Sequence, residues 1–124
     1  MTEQITVNLE KPVPLFPLPN AVLLPHALLP LHVFEARYRR MAADALDSHG
    51  LIAIARFDGA VGEADYLEGQ PPLRLHVCIG FIERYEPLEG GRYLIMLRGL
   101  CRARIHEEVP GDEPYRRAIL EPTE

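Results

Sequence analysis

Residues 14–48 read PLFPLPNAVLLPHALLPLHVFEARYRRMAADALDS, and a change of rhythm inside that stretch decides the fold. As far as Phe34 the chain is broken by proline. Five of the twelve prolines (Pro12, Pro14, Pro17, Pro19 and Pro25) fall within fourteen residues, and Pro30 follows. Proline fixes φ and removes a backbone donor, so neither a long helix nor a central strand can run through this region. What remains is short extended pieces at 13–16, 21–24 and 28–34, with Pro19-Asn20 as a turn. From Phe34 the period changes. Phe34, Tyr38, Met41, Ala42, Ala45 and Leu46 fall on one face of a helical repeat, while Glu35, Arg37, Arg39, Arg40, Asp44 and Asp47 mostly take the other. The spacing predicts one helix over about 35–48. Glu35 stands at its start, where the helix dipole favours an acid, and Gly50 beyond its end, where a left-handed cap is usual.

Beyond the helix the pattern is that of strands. An apolar run covers 51–57, and Leu73, Leu75, Val77, Ile79 and Phe81 alternate with Arg74, His76, Cys78 and Gly80. Further strands are expected at 92–98, 100–107 and 115–120, with Glu89-Gly90-Gly91 as a hairpin turn and Gly99 as a bulge or bend. One helix among seven or eight short strands indicates an α+β fold that is mainly β, a barrel or folded sheet. The stretch 58–72 departs from this, with three glycines, two prolines, four acids and no periodicity. Loops of this length inside compact domains are often functional.

The totals narrow the function. A chain of 124 residues with 48% apolar content is one domain with enough apolar material for its own core. A net charge of -5 argues against general nucleic-acid binding, which draws its affinity from neutralising phosphates. Twelve Arg accompany a single Lys, Lys11, a bias common where coding sequence is rich in G and C. Cys78 and Cys101 sit in apolar strand-like runs with no Cys-x-x-Cys spacing, as reduced, buried thiols would. The N-terminus lacks a basic segment leading into an apolar one, and the apolar region 21–34 is interrupted by Pro25, His26, Pro30 and His32. No signal peptide or membrane helix is therefore expected, and a cytoplasmic location is.

Candidate chemistry is thin. His32 and Glu35 could form half a metal site, but no second such pair exists, and Glu35 pairing with a helix Arg is the simpler reading. Ser48 is the only serine; a Ser-Lys dyad would have to reach Lys11, and its neighbours Asp47 and His49 point away from it on a helix. No phosphate-cradling Gly-x-x-x-x-Gly-Lys-Ser/Thr is present, so catalytic, cofactor and metal residues are all expected to be none. Arg98, Arg102 and Arg104 could meet an anion or RNA, although Glu83, Glu86, Glu107 and Glu108 offer cross-strand partners.

Two blocks carry a family resemblance. Pro14-Leu-Phe-Pro-Leu-Pro-Asn-Ala-Val-Leu-Leu-Pro25, continued by Leu29-Pro-Leu-His-Val-Phe-Glu-Ala-Arg-Tyr-Arg-Arg-Met41, resembles the opening of the Lon protease amino-terminal, substrate-binding domain. Val77 and Gly80, then Gly91-Arg92, then Gly99 with Arg102, are similar to that family's central hairpin, and Pro114-Tyr115 with Ala118 to the strand after it. The likeness covers about residues 12–121. It implies a PUA-like pseudo-barrel with one main helix, and a role in recognising unfolded or extended polypeptides, or a partner protein. Two departures stand out: His26 replaces the usual glycine after Pro25, and the family usually continues into helices beyond the position of Glu124. The expectation is thus a single domain over 1–124, either a fragment or a reduced form of that module.

Three readings follow. The first is a non-catalytic peptide-binding module. Its surface combines the proline-broken segment (Leu23, Leu24, Leu28, Leu29 and Leu31) with the acids of the long loop, Asp58, Glu63, Asp65 and Glu68. Hard-to-pair backbone suits added strands, and the acids would select basic-apolar peptides. The second is an RNA-binding PUA-like barrel, which calls for a continuous positive stripe. The third is a small enzyme, which needs His32, Glu35 and neighbouring Arg to converge in a pocket. Oligomeric state is left open.

Overall fold

The structure, a computed structural model, describes residues 9–19, 22–59, 62 and 70–123. Strands β1 (Val13–Pro17) and β2 (Leu28–Val33) precede helix α1 (Ala36–Leu46). Strands β3 (Leu51–Ala55), β4 (His76–Pro87), β5 (Tyr93–Glu108) and β6 (Arg117–Thr123) follow, with a 3-10 turn at Glu89–Gly91 between β4 and β5. Pairings β5–β4–β3–β1–β6 return to β5, so these five strands close into a barrel. Strand β2 stands outside that ring, antiparallel to the first half of β5 from Leu28↔Arg98 to Val33↔Tyr93. The second half of the same β5 edge pairs with β6.

The strands are fewer and longer than the sequence pattern suggested. Residues 93–108 form one strand, not two, because Gly99 and Leu100 bend the ladder without ending it. Ile79 pairs with Cys101 and Gly80 with Gly99, leaving Leu100 as the extra residue of a bulge. A bulge increases local twist, which a barrel of so few strands requires.

Two cores share the barrel wall. Val13, Leu15, Leu51, Ala53, Val77, Ile79, Ala103 and Leu120 belong to a cluster inside the ring. Phe16, Ile52, Ile54, Cys78 and Leu97 belong to a second, between the outer wall and α1. All five residues of β3 are buried for this reason: alternate side chains enter opposite cores. Tyr38, Met41, Ala42 and Ala45 form the buried face of α1, and Phe16 and Tyr38 meet with ring centroids 4.4 Å apart. Phe34 does not join that face. It precedes the helix and is 61% exposed, because β2 runs on through Val33 and its alternation turns Phe34 outward with His32, their ring centroids 5.6 Å apart. Gly50, at φ 70, closes the helix, and its N–H donates to the Ala45 carbonyl at 2.8 Å.

Candidate functional site

Segment 22–24 crosses the outside of the barrel where two glycines let it approach. A β-carbon on Gly80 would lie 3.0 Å from Leu23 Cδ2, and one on Gly99 would lie 2.9 Å from the carbonyl carbon of Leu24. Leu23 therefore drops into the helix-side core, 4% exposed, while Val22 and Leu24 on either side stand 59% and 51% exposed. The chain then reverses. Ala27 N–H donates to Leu24 O at 3.0 Å, and His26 has φ 70. With Pro25 at the second position and a positive φ at the third, this is the pattern of a type II turn, where glycine is the favoured occupant. The left-handed turn is kept although His26 stands where the resemblance anticipated glycine.

From this turn β2 returns along β5. His26 N–H donates to Gly99 O and Gly99 N–H to Ala27 O, each at 2.8 Å. Hydrogen bonding in an antiparallel pair alternates, so Pro30 falls at a position whose missing N–H faces away from β5. The prolines thus do not prevent pairing with β5, contrary to the expectation of a hard-to-pair segment; they leave β2 as an edge with its outer side open among the described strands. Leu28, Pro30, His32 and Phe34 are exposed, beside Leu94 and Met96 of β5. Leu29 and Leu31 point the other way and pack, half-buried, against the helix-side core.

A cleft of about 170 Å³ opens where segment 22–24 leaves the barrel. Buried Leu23, Ile54, Val77 and Cys78 close it below, while Val22, Leu24, Arg56, His76 and Arg102 form its exposed rim. Strand register aligns Ile54 with Cys78 and Cys78 with Arg102 across three strands, which fixes Arg102 on this face. Arg56 and His76 flank the long loop, whose ends are tied by Asp58 N–H to Pro72 O and Arg74 N–H to Arg56 O, each at 2.8 Å.

The expected site residues divide accordingly. Leu24 lines the cleft and Leu28 the outer face of β2, while Leu23 is a core residue that meets the cleft only as part of its buried floor, a consequence of the close approach at Gly80 and Gly99. Asp58 is exposed at the start of the loop, whereas Glu63, Asp65 and Glu68 lie outside the described residues. The described rim of the cleft carries arginines and no acid. Sequence reading missed Arg56 and His76; their position at the two ends of a long aperiodic loop was the available signal.

The other candidate groups are occupied elsewhere. Arg98 donates to Glu83 at 2.7 Å and Arg104 to Glu121 at 2.7 Å, so the basic run on β5 is interrupted by acids. His32 Nε2 lies 3.3 Å from Arg92 and Glu35 lies 3.8 Å from Arg37, and neither lines the cleft. The Ser48 hydroxyl donates to backbone carbonyls of Asp44 and Ala45 at 3.1 and 3.3 Å. Cys78 and Cys101 are free thiols, and burial pushes the Cys78 thiol up to about 11, which leaves it protonated and unreactive near neutral pH. A second cavity of about 320 Å³ lies beside Tyr115, but its Arg116 and Arg117 already pair with Glu108 and Glu113. Among the described residues no group of three or more His, Cys, Asp or Glu is placed to hold a metal ion, and no helix is long and apolar enough to cross a membrane.

Comparison with known proteins places this architecture. The Lon protease of Salinispora arenicola is 32% identical over 100 residues, 80% of this chain and 11% of that protein. A crystal structure of a Lon N-terminal domain protein from Xanthomonas campestris superposes with a TM-score of 0.68 at 26% identity, covering 92% of this chain and 60% of the other. The N-terminal domain of a Mycobacterium avium complex Lon protease shares the fold, with a TM-score of 0.66 at 21% identity over 92% of this chain and 55% of that one. This chain thus spans only part of each relative. The family profile described as the ATP-dependent protease La (LON) substrate-binding domain matches residues 12–124, and the chain belongs to that family.

Proposed function

We propose that this chain is a non-catalytic, cytoplasmic module that recognises extended segments of polypeptide. The observation that carries the reading is β2, an edge strand whose outer face shows Leu28, Pro30 and His32, continued by exposed Phe34 and flanked by Leu94. A contiguous exposed apolar patch marks an interaction surface more often than chance. An open strand edge next to it suits a peptide that adds as a further strand, with the outward backbone groups of Leu28 and His32 giving affinity on either side of the donor missing at Pro30, and alternate side chains giving selectivity. Membership of a substrate-binding family supports the same reading. The cleft supports binding over catalysis, since its thiol is held protonated, its arginines cannot act as bases, and His76 has no carboxylate beside it among the described lining residues.

The test is titration with a reduced, unfolded polypeptide while backbone amide shifts are followed. Shifts are expected at Leu24, Leu28 and Phe34. Leu28→Asp, at a half-exposed position, should weaken binding at least about tenfold without altering the fold. Binding that survives Leu28→Asp unchanged counts against the β2 surface. Binding of single-stranded RNA in preference to peptide would return the reading to the RNA-binding barrel.

A further inference from the structure

Building on the polypeptide reading, we propose that the cleft beside segment 22–24 holds the C-terminal carboxylate of a polypeptide whose last side chain is aliphatic. Arg56 and Arg102 line the same cleft, are exposed, and make no ion pair among the described residues. In contrast, Arg98, Arg104, Arg116 and Arg117 are each matched with a carboxylate. Guanidinium groups take carboxylates by paired N–H donors, a geometry that lysine cannot reproduce. His76 adds a ring N–H at the same rim.

The rest of the cleft decides what the carboxylate is attached to. Val22 and Leu24 present exposed aliphatic surface beside the arginines, and Ile54 and Cys78 lie buried beneath. A volume of about 170 Å³ is enough for one aliphatic side chain. A chain end meets both demands, because its last residue carries the carboxylate and the side chain on the same α-carbon. No Phe, Tyr or Trp among the described residues lines the cleft to stack a base beside His76, and the chain's net charge is -5, so a nucleic-acid phosphate is the poorer fit.

Fluorescence anisotropy with short labelled peptides tests this directly. One probe ends in Leu with a free carboxylate, the second is the same peptide amidated, and the third ends in Asp. The free-acid Leu peptide is expected to bind at least about tenfold more tightly than either other probe, and the acid–amide gap should close in Arg56→Gln and Arg102→Gln. Both arginines are exposed, so these variants should keep the wild-type melting temperature. Equal binding of acid and amide with shifts at Leu28 overturns the carboxylate site and leaves the β2 surface standing. Absence of binding by every peptide overturns both readings. Displacement of the acid peptide by single-stranded RNA, lost in the same arginine variants, assigns the cleft to phosphate and overturns the proposal.

Discussion

Replacing Gly99 with alanine probes the contact that shapes both the cleft and the β2 edge. The Gly99 backbone φ lies outside the left-handed region, so alanine brings no intrinsic strain there and any effect comes from crowding. A β-carbon at this position would sit 2.9 Å from the carbonyl carbon of Leu24, closer still to its oxygen, and 3.3 Å from Leu23 Cγ. Ordinary contact begins at about 3.4 Å, so segment 22–27 must lift by half an ångström or more. Two hydrogen bonds lie against that movement, His26 N–H to Gly99 O and Gly99 N–H to Ala27 O. Overpacking costs roughly 1–3 kcal/mol and weakening two bonds adds about 1 more, giving a destabilisation of about 2–4 kcal/mol. For a domain of this size each kcal/mol lowers the melting temperature by roughly 3–5 °C, so a drop of roughly 6–20 °C is expected. Thermal and urea unfolding followed by circular dichroism measure it. Gly90→Ala is the comparator: it has φ 75 with nothing within 4 Å, and should cost only about 1 kcal/mol from the left-handed backbone. A Gly99→Ala loss below about 0.5 kcal/mol, or one smaller than that of Gly90→Ala, refutes the close-crossing argument.

Further expectations follow from the same geometry. His26→Gly should stabilise the chain by roughly 0.5–1 kcal/mol, because relief of a left-handed L-residue outweighs glycine's extra unfolded entropy; a lower urea midpoint speaks against the type II turn. Met41→Ala, at a site with no exposure, should cost about 2–5 kcal/mol. Phe34→Ala should stay within about 0.5 kcal/mol in the same urea titration, and the reverse order would reassign the helix face. Cys78 has its proton held more tightly folded than unfolded, where the ordinary value is 9.0 and the folded value about 11. The unfolded chain binds fewer protons through that window, so stability is full below pH 9 and falls as pH rises from 9 towards 11. The Cys78→Ser variant should lose much of that dependence in unfolding curves recorded across the window, and an unchanged slope would show that the thiol does not cause it.

The helix was legible in sequence because a 3.6-residue period over a dozen residues has no competing reading, and because Gly50 ends it where a positive φ is needed. The hairpin at Glu89–Gly91 and the irregularity at Gly99 were legible for a similar reason: glycine marks positions that other residues cannot fill. The family resemblance came from local strings, and local strings survive in sequence. What sequence could not supply was which faces are covered. The run 51–55 is uniformly apolar because it separates two cores, and nothing within the run says that a second core exists. Phe34 fits the helical period but obeys the strand before it, since β2 is held by partners on β5 some sixty residues away. Leu23 and Leu24 are chemically identical neighbours, yet glycines on β4 and β5 bury one and leave the other at a cleft. Arg56, His76 and Arg102 meet for the same reason, through barrel closure and strand register. Local preference thus determined the elements and their ends, while the pairing of distant strands decided which side chains share a surface, because burial is a property of the neighbours and not of the residue.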